Sequence, residues 1–319
     1  MTGMNTFEVL SPGIISTVQD LGRFGCARYG VAASGALDGF AARAANLLVG
    51  NDENAAVVEA TLMGLRLKIL RDTVVAVTGG DLQPRIGAGP LPLWRAHRVR
   101  EGDTLVFSGP ASGLRAYLAV AGGIRVAAVM GSRSTNLASG FGGFEGRGLR
   151  KGDVLAAGPA EDPLRFADRA FLPEEVPVCA SPWRLRVVWG PQDDHFSEEG
   201  RQVFATVAFS VSPDSDRTGI RLKGPAVDRK PGLEESIISE GILPGAIQVP
   251  GDGQPIIILG ETASGGYRKI ATVISADLAR LGQITPGDEV SFEAVAIEEA
   301  VQALREMEGK LERFRKSLK

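Results

Sequence analysis

The feature that most constrains this 319-residue chain is a short turn pattern that it uses three times. Glu101-Gly102-Asp103-Thr104-Leu105, Lys151-Gly152-Asp153-Val154-Leu155 and Pro286-Gly287-Asp288-Glu289-Val290 each place a Gly-Asp turn ahead of a strand-like segment with an apolar second residue. Glycine reaches backbone conformations closed to other residues, and aspartate accepts hydrogen bonds from nearby N–H groups, so each reads as a tight turn feeding a strand. The pattern is structural and implies no chemistry. Its third copy lies far from the first two, which predicts two β units. With 41 glycines in the chain, short strands joined by many turns are favoured over a helical bundle.

Gly13–Asn54 is the segment around which a site would be organised. Ile14-Ile15-Ser16-Thr17-Val18 is β-prone and runs into a glycine-punctuated loop carrying Gln19, Asp20, Arg23 and Arg28. Loops held on a rigid scaffold are where binding groups concentrate. The alternative is that the charged residues pair with one another and tie the loop down. A helix is predicted from about Asp38 to Val49. Asp38 can cap it by accepting a bond from a first-turn N–H, and Gly50-Asn51 stops it. Phe40, Ala44, Leu47 and Leu48 give it an apolar face, and Ala41, Ala42, Ala44 and Ala45 let it lie close to a sheet.

Further along, Ala56–Leu70, Thr73–Thr78 and Leu114–Ala121 read as strands, and Pro84–Trp94 as turns with an edge strand. Val129–Asn136 and Gly140–Gly148 are unlike ordinary core. Backbone N–H groups in so glycine-rich a loop can form an anion-binding nest, with Arg133 or Arg147 adding charge; a long hairpin loop is the plainer reading. The segment is neither a Walker A loop nor G-x-G-x-x-G. Residues 161–183 are proline-interrupted and read as a linker between a β subdomain at 1–160 and a second at 184–295. In the second, a short helix is expected over Asp193–Phe204, holding His195 and Phe196. From Ala296 on, Ile297, Val301, Leu304, Met307, Leu311, Phe314 and Leu318 form an apolar stripe on a charged helix spanning 296–319, expected to pack on its own domain.

Composition removes several classes of function. The net charge of −3 and an aromatic content of 6% leave neither the electrostatic footprint nor the stacking platforms of a nucleic-acid binder. The apolar runs fall short of the ~18 residues that span a bilayer. Two isolated histidines, His97 and His195, and two isolated cysteines, Cys26 and Cys179, do not make a clustered metal site or a disulfide framework. No secretory signal is evident, and a reducing cytoplasm is the expected location.

Taken together the segments resemble the family containing KipA, the C-subunit proteins of 5-oxoprolinase and one half of the urea carboxylase carboxyltransferase domain, a group related to urea amidolyase and to allophanate hydrolase subunit 2. The resemblance is carried by Thr17–Arg23, Val31 with Ser34–Asp38, Asn46 with Val49-Gly50-Asn51, Gly131–Thr135, Ser215-Asp216-Arg217, Pro244–Pro250, Gly265-Gly266-Tyr267 and Gln283 through Gly287-Asp288, in the family's order. It implies a mainly β fold of cyclophilin-like β-barrel architecture in two subdomains, with a short N-terminal helix and a C-terminal helix. One segment departs from the family's pattern. Where an acidic residue followed by Arg-Gln-Thr-Thr-Gly-Gly-Tyr-Pro is expected, the chain reads Glu261-Thr262-Ala263-Ser264-Gly265-Gly266-Tyr267-Arg268.

The resemblance further implies a component of an ATP-dependent 5-oxoprolinase that opens 5-oxoproline to L-glutamate with partner chains, namely a KipI-like B-type chain and a third, A-like chain. ATP is the expected cofactor, bound by this chain or with a partner. A carboxyltransferase half-domain using biotin carried on another chain is the alternative, and a non-catalytic regulator of a KipI-like kinase inhibitor is a third. The substrate class is a small amide or lactam. Opening it requires donors for a developing oxyanion and a carboxylate near the attacking water. Asp20, Asp38 and Glu240 are the acid–base candidates. Gln19, Arg23, Ser34, Ser132, Arg133, Gly142, Gly143, Gln248, Gly265, Gly266 and Tyr267 are the expected substrate contacts, and no metal is expected.

Overall fold

The structure, a computed structural model, describes residues 3–318. Met1 and Thr2, at the start of the expected first subdomain, and Lys319, at the end of the expected C-terminal helix, lie outside the described residues. The chain forms two compact units. One runs to Arg23, resumes over Ser34–Cys179 and takes in the chain from Lys310 on; the other comprises Phe24–Ala33 and Ala180–Gly309.

The first unit contains β1 (Met4–Pro12), β2 (Ile15–Gln19), α1 (Gly39–Leu48), β3 (Val57–Thr61), β4 (Leu65–Ile69), β5 (Thr73–Asp81), β6 (Pro84–Ile86), β7 (Gly89–Pro90), β8 (Arg95–Val99), β9 (Thr104–Phe107), β10 (Ser112–Val120) and β11 (Val154–Ala157). They pair into two antiparallel sheets, ordered β11-β1-β4-β9-β6-β7 and β2-β3-β10-β5-β8. Phe7, Val9, Leu67, Leu105 and Phe107 of the first sheet share one apolar core with Val58, Val75, Val77, Leu118 and Val120 of the second. β4 alternates buried Leu65, Leu67 and Ile69 with exposed Arg66 and Lys68, so its sheet has a wet face. β5 is buried along nearly its whole length because α1 packs on it and on β10. The small residues of α1 permit that approach, and Thr78 Oγ1 donates to the Ala41 carbonyl at 2.7 Å. The expected single strand over Ala56–Leu70 is two strands. Leu62 and Gly64 adopt φ of +64° and +89° between them and turn the chain into the other sheet.

The second unit contains β12 (Trp183–Trp189), α2 (Glu198–Thr206), β13 (Phe209–Val211), β14 (Gly219–Lys223), β15 (Glu240–Gly241), β16 (Ala246–Val249), β17 (Ile256–Ile258), β18 (Ser264–Gly265), β19 (Arg268–Val273), α3 (Leu278–Leu281) and β20 (Glu289–Ala294). Seven of these strands close a barrel in the order β12-β19-β16-β17-β14-β13-β20, sealed by parallel pairing of β20 with β12. β15 and β18 pair as a separate two-stranded ribbon. The helix expected over Asp193–Phe204 is corrected. Asp193–His195 is a single 3-10 turn and Phe196 is extended. Ser197 then caps α2 by accepting from the Gly200 N–H at 3.0 Å. Phe204 of α2 stacks on Phe292 with ring centroids 4.4 Å apart.

The C-terminal helix α4 (Ile297–Ser317) begins in the second unit and ends in the first. Its apolar stripe is not buried throughout. Leu311 and Phe314 are buried, the latter 4.6 Å from the Phe171 ring, whereas Ile297 and Val301 are exposed. Glu175 fastens the buried end by pairing with Arg313 and Lys310.

The three Gly-Asp turns share one construction. Gly102, Gly152 and Gly287 all adopt φ of +90°. Asp103, Asp153 and Asp288 each accept, through Oδ2, from the N–H three residues back, at 2.8, 2.7 and 2.8 Å. Each turn then clasps a residue of a neighbouring strand with two backbone bonds. Gly102 N–H donates to the Ile69 carbonyl and Ile69 N–H to the Asp103 carbonyl, and the same exchange joins the second turn to Val9 and the third to Val211. Sheet ends in both units are thereby fixed by one device.

Candidate functional site

In the first unit the residues singled out from sequence converge where β2 runs out. Asp20 is 2% exposed, and its carboxylate is fully occupied. Oδ1 accepts from Ser132 Oγ and Ser134 Oγ, each at 2.6 Å, and from the Gly22 N–H at 2.9 Å; Oδ2 accepts from the Arg133 N–H at 2.5 Å. A buried carboxylate is costly unless hydrogen-bonded, and here four donors satisfy it. Asp20 therefore draws Gly131–Thr135 onto the end of β2. Arg23 is equally enclosed. Its Nε donates to the Val129 carbonyl at 3.1 Å and its NH2 to the Ser134 carbonyl at 2.8 Å, and its guanidinium lies 4.7 Å from the Phe141 ring.

The adjoining segment Ser34–Asp38 is held through consecutive N–H groups. Gly35 donates to Gln19 Oε1, Ala36 to the Asp20 carbonyl, Leu37 to Glu59 Oε2 and Asp38 to Tyr117 Oη, at 3.2, 2.8, 3.1 and 2.8 Å. Gln19 Nε2 in turn donates to Thr17 Oγ1 and to the Thr135 carbonyl. Asp38 caps α1 through Oδ1, which accepts from the Ala41 N–H at 2.8 Å. The Ser34 hydroxyl is buried with no hydrogen-bond partner among the described residues.

Three buried polar residues complete this support and were not anticipated. Tyr117 donates to Glu59 Oε2 at 2.9 Å, and Arg115 Nε lies 3.8 Å from Glu59 Oε1. Burial, and then the Glu59 and Asp38 charges, push the Tyr117 phenol well above its ordinary value. The available signal was an acidic residue inside Val57–Thr61 and two polar residues at alternate positions of Leu114–Ala121. Tyr117 stands directly opposite Glu59 across the β3/β10 pair.

The glycine-rich loop packs closely on the segment at Ser134 and Thr135. Gly142 and Gly143 have φ of +71° and +55° and face the chain at Ser134 and Thr135 so closely that added Cβ atoms would meet Ser134 O at 2.2 Å and Thr135 Oγ1 at 1.8 Å. The Gly140 and Phe141 N–H groups donate to the Asn136 carbonyl, and that of Gly146 to the Gly142 carbonyl. These N–H groups are spent inside the loop. Arg147 is likewise engaged, with Asp153 and Glu145. Arg133 differs. Its backbone is pinned by Asp20 and its side chain is half-buried, yet its guanidinium has no hydrogen-bonding or ionic partner among the described residues.

In the second unit, Glu261, the acidic residue of the departing segment, is buried and pairs with Arg217 at 3.2 Å. Gln248 Nε2 donates to the Tyr267 carbonyl at 3.1 Å. A Cβ on Gly265 would meet that amide nitrogen at 2.4 Å, so the glycine admits Gln248 under the ribbon; Gly266 lies next to Ser239. Tyr267 is 41% exposed. Glu240, on β15, is the most exposed of the three carboxylates proposed for acid–base work; Asp20 and Asp38 are 2% and 5% exposed. The Lys269 ammonium and then the Gln192 amide hold its carboxyl below the ordinary value. Next to it, Arg268 Nε donates to His195 Nδ1 at 3.1 Å. Among the described residues no cluster of three or more His, Cys, Asp or Glu could hold a metal ion, and no helix is long and apolar enough to cross a membrane.

Comparison with known proteins places these features in context. Residues 29–294 match the carboxyltransferase domain, subdomain A and B, family. The chain is 37% identical to the 5-oxoprolinase C-subunit of Escherichia coli over 96% of its own length and 97% of that protein's. It is 34% identical to the 5-oxoprolinase C-subunit of Haemophilus influenzae, covering 97% of each. The crystal structure of Kluyveromyces lactis (K. lactis) urea amidolyase superposes with a TM-score of 0.91 at 33% identity over 98% of this chain, which spans 20% of that much longer one.

Proposed function

Since the chain belongs to the carboxyltransferase domain, subdomain A and B, family, we propose that it is the C-subunit of an ATP-dependent 5-oxoprolinase, opening 5-oxoproline to L-glutamate together with a KipI-like B-type chain and an A-like chain in the cytoplasm. The observation that carries this reading is Arg133: a half-buried cation, fixed at its backbone by Asp20 and unengaged at its guanidinium. Such a group suits a substrate bearing a carboxylate, which a guanidinium binds through paired N–H donors. 5-Oxoproline carries one and urea does not.

The roles follow from how each residue is engaged. Arg133 binds the substrate carboxylate, and Ser132 and Ser134 orient it through Asp20. Of the three acid–base candidates, Asp20 and Asp38 are committed to holding the loop and capping α1, and Glu240 of the second unit is the most exposed carboxylate. In the glycine-rich segment the Gly140, Phe141 and Gly146 N–H groups are satisfied within the loop. The sequence carries neither a Walker A loop nor G-x-G-x-x-G, and ATP is proposed to be bound by or with a partner chain.

The likeness to urea amidolyase over 98% of the chain favours a second reading, a carboxyltransferase half-domain working with carboxybiotin on another chain. Affinity capture of the tagged protein with its native partners separates them. Nucleotide turnover that depends on 5-oxoproline and releases glutamate supports the first reading. Capture of a biotinylated chain with bicarbonate- and urea-dependent turnover replaces it by the second. A KipI-like partner with neither activity leaves a regulator.

A further inference from the structure

Glu240 sits where three pieces of the second unit meet, and each holds it differently. Its Oε1 accepts from Lys269 Nζ and, at 2.8 Å, from Gln192 Nε2. Gln192 Oε1 accepts from the Lys269 N–H at 3.0 Å, which fixes the amide with its NH2 toward the carboxylate. Lys269 is buried, its side chain 8% exposed, while the Glu240 side chain is 44% exposed. Oε2 takes no hydrogen bond from the described residues. Pairing of Glu240 with Gly265 sets the carboxylate on the ribbon that Gly266 and Tyr267 directly follow in the chain.

A simple tether between ribbon and barrel needs only the ion pair. Here a glutamine bridges both partners, so the plane of the carboxylate is fixed as well as its position. Two donors spent on one oxygen leave the other as an acceptor on a partly exposed side chain, and the complement of such an acceptor is an N–H donor.

We infer that Lys269 and Gln192 are positioning residues that fix Glu240 so that Oε2 accepts the N–H of a lactam or amide substrate. The substrate class rests on the function proposed above; the positioning does not. An acceptor of this kind selects against an analogue of the same shape that lacks the N–H, because the carboxylate is then left without its partner.

Two measurements test this. First, the Glu240 carboxyl is titrated by carbon-13 NMR in the full chain, its resonance assigned through Glu240→Gln. Lys269→Met is expected to raise the midpoint, Gln192→Leu to raise it by less, and Lys269→Arg to restore it. A midpoint unmoved in the folded Lys269→Met protein overturns the positioning. Second, the captured assembly is assayed with 5-oxoproline and with the γ-lactone of 2-hydroxyglutarate as competitor, which replaces the ring N–H by oxygen. The wild-type preference for lactam over lactone is expected to fall at least tenfold in both Glu240→Gln and Lys269→Met. A merely structural tether would weaken both ligands alike, and an unchanged preference overturns the acceptor role. An assembly inert toward 5-oxoproline overturns the lactam assignment, while the titration still decides the positioning.

Discussion

Replacing Asp20 by asparagine is the sharpest probe of how the first unit builds its loop. The substitution keeps shape and removes charge. With the amide oxygen in the place of Oδ1, the bonds from Ser132, Ser134 and Gly22 remain, though no longer charge-assisted. The amide NH2 then faces the Arg133 N–H, donor against donor, where the wild type has a 2.5 Å bond. Losing one bond to a charged acceptor costs about 1.5–3 kcal/mol and stranding a buried N–H about 1–3; because the two overlap, about 3 kcal/mol is expected. For a unit of roughly 180 residues unfolding with about 2.1 cal/mol/K per residue, that lowers its melting temperature by about 8 °C. Differential scanning calorimetry reads the shift. Amide exchange at Arg133 reads the local opening, which should accelerate on the order of a hundredfold. Melting within about 2 °C of wild type, with Arg133 exchange unchanged and turnover abolished, would refute the reasoning and make Asp20 a chemical participant.

Arg133→Met should leave melting within about 1 °C, because the guanidinium holds nothing in place, while raising KM for 5-oxoproline at least tenfold with a smaller change in kcat; steady-state kinetics on the assembly checks the split. Tyr117→Phe removes the acceptor of the Asp38 N–H and one donor to Glu59, and is expected to cost about 2–3 kcal/mol in urea unfolding. The wild-type phenol carries a pH signature. Its folded value lies above the ordinary 10.0, so the folded state holds the proton more tightly, and the stability this provides is complete below pH 10 and is lost as pH rises beyond it. Alkaline titration by ultraviolet absorbance should show Tyr117 ionising only as the unit unfolds. Gly152→Ala should cost about 1–2 kcal/mol from backbone strain alone, since φ is +90° and nothing lies within 4 Å of an added Cβ; thermal melts of the alanine variant against Gly102→Ala should agree within error.

What the sequence disclosed, and what it withheld, follows from the range of each interaction. The Gly-Asp turns and the Asp38 cap are local, with partners within three residues, so residue type and spacing suffice to find them. Asp20, Ser132 and Arg133 could be nominated one by one, but that they form a single cluster depends on contacts between segments more than a hundred residues apart. The glycines at 142 and 143 were legible as a glycine-rich loop, but the close approach of Ser134 and Thr135 that demands glycine there is set by the fold. Lys269 was hidden because nothing local marks the start of the strand Arg268–Val273 as functional, and only the fold brings Gln192 and Glu240 to it.

The three Gly-Asp clasps bear on the order of assembly. The turn at Asp103 reaches back roughly 35 residues to Ile69, that at Asp288 roughly 80 to Val211, and that at Asp153 roughly 145 to Val9. Closure entropy grows with the logarithm of the loop, so the longest costs about 1.3 kcal/mol more to close than the shortest. Identical chemistry thus becomes three seams of different timing. The Ile69 seam can close early and present an edge at β4, and β1 can then join with its register already set when the Val9 seam closes last. A slip of one residue at any seam would forfeit both backbone bonds together and turn the strand's apolar side chains to the wrong face. Speed of closure therefore varies from seam to seam, while the penalty for a wrong alignment stays the same.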